Sequence, residues 1–273
     1  MPQVSVIITT YNRPEYLREA IRGVLNQTFR EWELIVVDDA STNVGVREVI
    51  QSYVDQRIRH IRNTKNLGSA RSLNVGLQAA RGTYVAILDD DDSWVSEEKL
   101  ERQVAFLTAH PDYVCVGTEV VVVDEESEKE IGHSDLRGDD ASLRKRLLYQ
   151  NPIAHSTAMF RNESVVRVGG YEEKFPRGKD YDLWLKLAQK GKIAVLPYYD
   201  VKYREASRKQ RNILEQRYED AKWTLEVIKK HRSNFRGGAA PYVRQYLRYK
   251  IFSILRKIPR IYTIYRLMKG QSR

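Results

Sequence analysis

Apolar and polar positions alternate along the first 110 residues with two periods, one typical of strands and the other of helices. Short apolar or β-branched runs predict four buried strands, at Val4–Ile8, Leu34–Val37, Ile58–Ile61 and Tyr84–Leu88. After each run, apolar residues recur every three or four positions, which predicts a helix. This alternation predicts an α/β fold, with a mostly parallel central sheet and helices on both faces.

The four helices between and after these strands have recognisable ends. They are predicted at Leu17–Leu25, Val46–Val54, Ala70–Ala80 and Glu97–Ala109. Pro14 suits the first turn of the first helix, and Gly82 is expected to end the third. Ser96 is expected to cap the fourth.

The pattern changes after residue 110. Strands are predicted at Tyr113–Val123, Thr157–Phe160 and Ile193–Leu196, and helices at Ser142–Tyr149, Tyr181–Gln189, 207–232 and Pro241–Met268, the last interrupted at Pro259. We therefore expect a body up to about residue 205 and a helical extension over 206–273.

Composition places the chain among proteins with a buried core. Apolar residues make up 42 % of the chain and charged residues 30 %, which excludes a disordered chain and a collagen-like repeat. No run reaches the roughly 18 apolar residues that a membrane-spanning helix needs. The first residues lack a basic leader with a long apolar run, so we expect no signal peptide. The single cysteine, Cys115, suits a reducing compartment and a role in packing.

Most of the net positive charge lies in the tail, residues 241–273. The net charge is +10, and residues 241–273 contribute nine Lys or Arg and no acid. A nucleic-acid binder would carry cations across its folded face, so we expect no nucleic acid partner. On helices, the bulky and basic residues of the tail favour either an anchor on an anionic membrane surface or a hairpin that packs on the body or on a second copy of the chain.

Acidic residues follow two of the predicted parallel strands. Asp38 and Asp39 come after the second strand, and the run Asp89–Asp92 comes after the fourth. Ligands of such sheets bind beyond the carboxyl ends of the strands. The run predicts either a divalent metal held by one or two carboxylates together with substrate phosphates, or a solvated acidic turn. Asp39 is either a helix cap or an acceptor for a base or ribose, on which Tyr11 could stack.

Asp180 stands at the start of a predicted helix. It suits an N-cap, and equally a general base that protrudes towards an acceptor hydroxyl, since the two roles do not exclude each other.

Four segments together resemble the family-two glycosyltransferases. They are VSVIITTYNRP, WELIVVDDAST, NLGSARSLNVGLQAARGTYVAILDDDD and GGYEEKFPRGKDYDLWLKLAQKG, in that family's order and spacing, over about residues 3–200. The resemblance implies a GT-A fold and a nucleotide-diphospho-sugar donor. It makes residues 1–205 the nucleotide-sugar-binding and catalytic domain and 206–273 a helical, basic extension.

The resemblance also implies roles for individual residues. Thr9 and Tyr11 would hold the nucleobase, Asp39 would accept a hydrogen bond from the edge of the base, and Arg13 and Arg71 would lie near the diphosphate. Asp91 would bind Mg²⁺ or Mn²⁺, and Asp90 would lie against the ribose or the metal. Asp180 would be the catalytic base, Trp184 would line the acceptor pocket, and His155 would be a substrate contact or a structural histidine. Lys179 replaces the Glu that the family usually has before this Asp.

The function so implied is inverting transfer of a sugar to an acceptor hydroxyl, in polysaccharide or glycolipid assembly. The expected partners are the donor, a saccharide or lipid-linked acceptor, a membrane surface through residues 241–273, and a second copy of the chain. The expected location is cytoplasmic, at the inner face of the membrane. The alternatives are a catalytically impaired sugar-nucleotide-binding protein and a sugar-phosphate nucleotidyltransferase. The latter would want a Gly-rich basic loop after the first strand, where the chain has TYNRP.

Overall fold

The computed structural model describes residues 1–205 and 213–257 of the chain. The chain divides into two compact units, Met1–Ala206 and Ser207–Arg273. Within the described residues, the first unit contains one sheet of nine strands. These are β1 (Val4–Thr10), β2 (Trp32–Asp38), β3 (Ile58–Arg62), β4 (Tyr84–Asp89), β5 (Ser93–Trp94), β6 (Tyr113–Asp124), β7 (Glu130–His133), β8 (Met159–Arg161) and β9 (Lys192–Glu205).

Helices follow or separate most of these strands. In the first unit they are α1 (Pro14–Leu25), α2 (Val44–Gln51), α3 (Ser69–Ala79), α4 (Lys99–Ala109), α5 (Asp140–Arg146), α6 (Asn162–Arg167) and α7 (Lys179–Ala188). A single 3-10 turn, His155–Thr157, precedes β8. The second unit contains α8 (Ile213–His231), a 3-10 turn at Arg232–Asn234, and α9 (Ala239–Leu255).

The sheet has a parallel half and a mixed half. Its strand order is β3-β2-β1-β4-β8-β6-β9-β5, with β7 paired to β6. The first four strands in this order are parallel, β8 is antiparallel to both of its neighbours, and β6 and β9 are parallel. The predicted α/β fold is confirmed, and the four predicted parallel strands are neighbours. Their carboxyl ends therefore meet at one edge.

The core explains why the strands could be found in the sequence. Every residue of β1 and β2 is buried, as expected for parallel strands that are covered on both faces. On α1, the apolar positions Leu17, Ile21 and Val24 have no exposed surface and pack into the same core cluster. Cys115 is also buried, which fits the predicted packing role.

Several predicted boundaries are wrong. The strand expected at Ile193–Leu196 extends to Glu205. Residues 155–157 form a 3-10 turn, so β8 begins at Met159. The N-cap of α4 is Glu98 without a capping side chain; Ser96 lies farther out, and the Leu100 N–H is satisfied by the Gln27 side chain at 3.0 Å. α3 ends at Ala79, before Gly82.

The second unit is described by α8 and α9. Gln245 of α9 donates to the Ala221 carbonyl of α8 at 3.1 Å, and Arg256 pairs with Glu215 at 2.7 Å. The predicted helix over 207–232 begins at Ile213 in the described residues, and the prediction for 258–268, with its interruption at Pro259, lies outside them. No helix within 1–205 or 213–257 is both long enough and apolar enough to cross a membrane.

Candidate active site

A cavity of about 530 Å³ opens where β1, β2 and β4 end. Its lining comes from six separate stretches of the chain: Thr9, Thr10, Tyr11, Arg13, Asp39, Asn66, Gly68, Ser69, Ser72, Asp89, Asp90, Asp91, Asp92, Lys179, Tyr203 and Arg204. Strand register accounts for the meeting, because Thr9 of β1 is paired with both Val37 of β2 and Asp89 of β4. The segments after these strands therefore share one rim.

Asp39 is held at this rim by three donated hydrogen bonds. Its Oδ1 accepts from the Asn63 amide and the Leu67 N–H, both at 2.8 Å, and its Oδ2 accepts from the Gly68 N–H at 2.9 Å. Burial raises the pKa of Asp39, but these hydrogen bonds outweigh it and leave the pKa below its ordinary value. The helix-capping alternative is wrong for α2, whose N-cap is Asn43. Asp39 is an ionised acceptor at the cavity.

The loops after β1 and β2 are tied together beside Asp39. The Asn12 side-chain oxygen accepts from the N–H groups of Thr42 at 2.7 Å and Asn43 at 2.9 Å. Asn12 and Ala40 have φ angles of 61° and 62°, which is uncommon for residues other than glycine. This strained pair of turns fixes the rim near Tyr11, whose side chain is exposed.

The four aspartates of the acidic turn, Asp89–Asp92, have different surroundings. Asp90 accepts from the Thr10 hydroxyl at 2.7 Å and from Arg13 at 3.2 Å, and Asp91 accepts from the same guanidinium at 2.7 Å. Burial raises the pKa of Asp90 to about 6, and the neighbouring carboxylates add to the rise. Burial and Asp89 also raise the pKa of Asp91, whose side chain is 38 % exposed. A cation would relieve this repulsion.

The outer two members of the turn are braced from behind. Asp89 accepts from His155 Nδ1 at 2.8 Å; burial raises its pKa, but His155, Lys179 and Ser156 together outweigh burial and leave the pKa well below the ordinary value. Asp92 accepts from the Ser156 hydroxyl and, at 3.1 Å, from the Arg204 N–H. The 3-10 turn that contains His155 and Ser156 therefore positions the acidic turn.

His155 has no free ring nitrogen. Its Nε2 is hydrogen-bonded to the Tyr171 hydroxyl at 2.9 Å, and the imidazole is buried. Because a carboxylate only accepts, the Nδ1–H donates to Asp89. His155 links the acidic turn to Tyr171, which fits a structural histidine, and the role of a substrate contact stays a prediction.

Asp180 is the second residue of α7. The N-cap of α7 is Gly178, at a φ of 73°, so the predicted capping by Asp180 is wrong. Its carboxylate accepts instead from the Asn151 amide at 2.6 Å. The preceding residue, Lys179, lines the cavity, and the charge of Asp180 acts on Tyr203 in the same lining. Asp180 is thus next to the cavity.

Two predicted site residues lie elsewhere. Arg71 does not line the cavity, because its guanidinium is paired with Glu173 at 2.5 Å and is 54 % exposed. Trp184 has no exposed surface, and its indole N–H donates to the Ile153 carbonyl at 3.0 Å. Trp184 is a core residue without exposed surface, which does not fit the predicted role as a wall of the acceptor pocket.

Arg204 is a site residue that the sequence did not indicate. Its guanidinium donates to the Asp91 carbonyl at 2.9 Å and is held by Glu19 and Glu128, with only 2 % of its side chain exposed. No signal pointed to it, since β9 was expected to end at Leu196. Thr10, Asn63 and Ser156 were also missed, although Thr10 lies inside the quoted segment VSVIITTYNRP.

The carboxylates of the acidic turn could bind a cation but do not surround one. Among the described residues, no group of three or more His, Cys, Asp or Glu is arranged to hold a metal ion. The accessible carboxylates are few, and Asp91 is the most exposed member of the buried turn. Such a site fits Mg²⁺-like ions, which take one or two carboxylates and complete their shell with phosphate oxygens and water.

Several glycosyltransferases are similar to this chain in sequence. An uncharacterized glycosyltransferase of Methanocaldococcus jannaschii is 32 % identical over 76 % of this chain and 72 % of its own length. The putative glycosyltransferase EpsE of Bacillus subtilis is 36 % identical over 70 % of this chain and 68 % of its own. The amylovoran biosynthesis glycosyltransferase AmsE of Erwinia amylovora is 29 % identical over 74 % and 76 %.

A solved structure shares the fold. The mannosyltransferase PcManGT of Pyrobaculum calidifontis, in complex with GDP-Man and Mn²⁺, superposes with a TM-score of 0.68 at 22 % identity, over 93 % of this chain and 73 % of that one. Residues 5–169 match the family described as Glycosyl transferase family 2, a range that includes the acidic turn and every strand of the parallel half. The chain belongs to glycosyltransferase family 2.

Proposed function

We propose that this enzyme binds a nucleotide-diphospho-sugar across the carboxyl edge of the parallel strands and transfers the sugar, with inversion, to an acceptor hydroxyl. One observation carries the proposal: Asp39, Asp91 and Lys179, from three distant segments, line a single cavity, and Asp180 follows directly. The donor would extend along the cavity from its nucleotide at Asp39, past its diphosphate at Asp91, to its sugar at Asp180.

The nucleobase belongs at the Asp39 end. A carboxylate offers about four lone-pair positions, and Asp39 uses three of them on Asn63, Leu67 and Gly68. Its Oδ2, which accepts from the Gly68 N–H, would also accept an N–H from a base edge. Tyr11 and Thr9 line the same end of the cavity, and the Tyr11 ring can stack on a planar base.

The diphosphate belongs beside Asp91 and Arg13. A divalent cation, Mg²⁺ or Mn²⁺, bound to Asp91 would offset the negative charge that grows on the leaving diphosphate. The Mn²⁺ and GDP-Man in the Pyrobaculum neighbour support this assignment. Arg13 neutralises Asp90 and Asp91 and lies where it can also meet a phosphate oxygen.

Asp180 carries the proton transfer. Its Oδ2 is oriented by Asn151, which leaves Oδ1 for an acceptor hydroxyl. The hydroxyl proton passes to the carboxylate as the hydroxyl oxygen bonds to the anomeric carbon. The bond from that carbon to the diphosphate oxygen breaks on the opposite face, and its electron pair leaves with the diphosphate. A single displacement of this kind inverts the anomeric centre.

The acceptor we propose is a saccharide or a lipid-linked saccharide. The relative named for amylovoran biosynthesis supports assembly of a polysaccharide. A lipid-linked acceptor would place the enzyme at a membrane surface. That location is supported by α9, which exposes Val243, Leu247 and Ile251 on one face between basic residues.

Replacement of Asp180 tests the mechanism. We expect Asp180→Asn to lower the transfer rate by about 10³-fold or more, because the amide cannot take the proton. Affinity for the nucleoside diphosphate should stay within about twofold, since Asp180 lies beyond the diphosphate. Transfer is measured with a panel of UDP- and GDP-sugars and Mn²⁺, and affinity by calorimetry with UDP and GDP.

Asp135→Asn is the matched control, because that side chain is 84 % exposed and does not line the cavity. Full turnover in Asp180→Asn would contradict the assignment of the base. Donor binding without any transfer in the unaltered protein would favour the impaired sugar-nucleotide-binding protein. Release of pyrophosphate from a nucleoside triphosphate and a sugar phosphate would favour the nucleotidyltransferase.

A further inference from the structure

Lys179 lines the cavity without a direct hydrogen-bond or ion-pair partner among the described residues. Arg13 is paired with Asp90 and Asp91, and Arg204 is paired with Glu19 and Glu128. Within residues 1–205 and 213–257, the Lys179 ammonium forms neither a hydrogen bond nor an ion pair, although it lines the cavity and is only half-buried.

The start of α7 directs Lys179 and Asp180 to different places. Neighbouring residues of a helix differ by about 100° around the axis. Asp180 accordingly reaches Asn151, while Lys179 lines the cavity close enough to Asp89 for its charge to stabilise that carboxylate. The ammonium therefore lines the cavity near Asp89, and the proposed base is the next residue along the chain.

The nearby carboxylates are already engaged by other donors. Asp89 Oδ2 is hydrogen-bonded to His155 and faces Ser156, and both oxygens of Asp92 accept, one from Ser156 and one from the Arg204 N–H. These contacts hold the carboxylates back towards the protein. An ammonium that faces a cavity beside engaged acceptors is available to an anion that enters the cavity.

We propose that the Lys179 ammonium binds an anionic oxygen of the donor, on either its diphosphate or a carboxylate carried by its sugar. The inference rests on the proposed function, which puts the bond between sugar and diphosphate between Asp91 and Asp180. Lys179 is thus a donor-binding residue at the position where the resemblance leads one to expect a glutamate.

Calorimetry with Lys179→Gln tests the proposal. UDP and GDP are each titrated in EDTA and in Mn²⁺, and Mn²⁺ is titrated alone. If Lys179 holds the diphosphate, the affinity for nucleoside diphosphate in EDTA falls by about tenfold, as for loss of one hydrogen bond to a charged group. Mn²⁺ alone should bind as well as before or more tightly, because a positive charge has left an acidic cavity.

A second arm separates the two sources of the anion. If Lys179 holds a sugar carboxylate, UDP and UDP-glucose bind with equal affinity to the unaltered protein and to Lys179→Gln. The affinity for UDP-glucuronate is then about tenfold lower in Lys179→Gln than in the unaltered protein. Lys190→Gln is the control, since Lys190 is exposed just beyond the same helix and does not line the cavity.

Equal affinity of Lys179→Gln and the unaltered protein for all of these ligands would overturn the inference. A weaker affinity for Mn²⁺ alone would also overturn it, since it would mean that the variant had disturbed the acidic turn. Failure of the proposed function looks different, because the unaltered protein would then bind no nucleotide and transfer no sugar.

Discussion

Four consecutive aspartates perform different tasks because each meets different donors. Asp89 and Asp92 are engaged by the 3-10 turn at His155–Thr157, so they build the turn. Asp90 is enclosed by Thr10 and Arg13. Asp91 keeps the most exposure, and its main-chain carbonyl is held by Arg204. Asp91 is therefore the member of the turn that we propose for cation binding, because its three neighbours are more enclosed than it is.

Replacement of Asp91 separates cation binding from folding. We expect Asp91→Asn to weaken Mn²⁺-dependent donor affinity by about tenfold, or ~1.4 kcal/mol, because one ionised ligand is lost. The affinity of Asp91→Asn for UDP and GDP in EDTA, where no cation is bound, should not fall. Calorimetry with UDP and GDP in Mn²⁺ and in EDTA measures both. Asp112→Asn, at an exposed ion pair with Lys192, is the control; an unchanged Mn²⁺ effect in Asp91→Asn would remove this residue from the cation site.

At the scale of elements, the close approach of β1 and β4 places the acidic turn. Gly82 precedes β4, and its N–H donates to the Ser5 hydroxyl at 2.8 Å. A Cβ at this position would lie 2.6 Å from the Ser5 nitrogen and 2.9 Å from the Tyr84 carbonyl oxygen. Backbone atoms on two strands would have to move apart, so the glycine is needed for this approach.

Gly82→Ala should therefore destabilise the protein by about 2 kcal/mol or more, the range for overpacking against atoms that cannot yield. Urea unfolding measures the change in free energy. Gly132→Ala is the control, because nothing lies within 4 Å of a Cβ there and its φ is not positive. Equal stability of the two variants would show that β1 and β4 can separate without cost.

Element boundaries were predictable where one periodicity ran without interruption. β1 and β2 are buried throughout and have continuous apolar centres, and they lie where the sequence placed them, within two residues at each end. β9 was cut short because Pro197 cannot donate to a ladder and sits where the pairing with β6 shifts register, between Val195 and Tyr199. The Ser96 cap failed because Gln27, from a distant loop, supplies the hydrogen bond to α4.

At the scale of the whole molecule, the sequence could indicate which segments form the cavity but not the contacts between them. The segments that contain Asp39 and Asp91 carry local motifs, and parallel register brings them together. Arg71 also lies in a segment that resembles the family, yet its guanidinium forms an ion pair with Glu173, about a hundred residues later, and does not line the cavity. Such pairings depend on loop geometry that no local pattern encodes.

The second unit has an exposed apolar side on α9 that bears on the predicted membrane contact. One side of α9 packs on α8 through Gln245, while Val243, Leu247 and Ile251 remain more than half exposed on another. The predicted membrane contact stays a prediction, as does the alternative of packing on protein, and residues 258–273 lie outside the described range.

Flotation with lipid vesicles distinguishes the two alternatives. With a membrane contact, the protein should float with phosphatidylglycerol-containing vesicles and less with pure phosphatidylcholine, because each cation near an anionic surface contributes about 1 kcal/mol. Leu247→Ser with Ile251→Ser should abolish flotation. Val54→Ser with Val166→Ser, at exposed positions of the first unit, is the control. Absence of flotation in the unaltered protein would leave packing on protein as the explanation.

The hydrogen-bond chain from Asp89 through His155 to Tyr171 has a consequence for engineering. Tyr171 lies in the loop that leads to α7, so these hydrogen bonds join the acidic turn to the segment that carries Asp180. Chimeras that exchange the later segment between relatives, in order to change which acceptor is glycosylated, would cut this chain at its middle. Grafts should therefore move the histidine and the tyrosine as a set with a compatible aspartate.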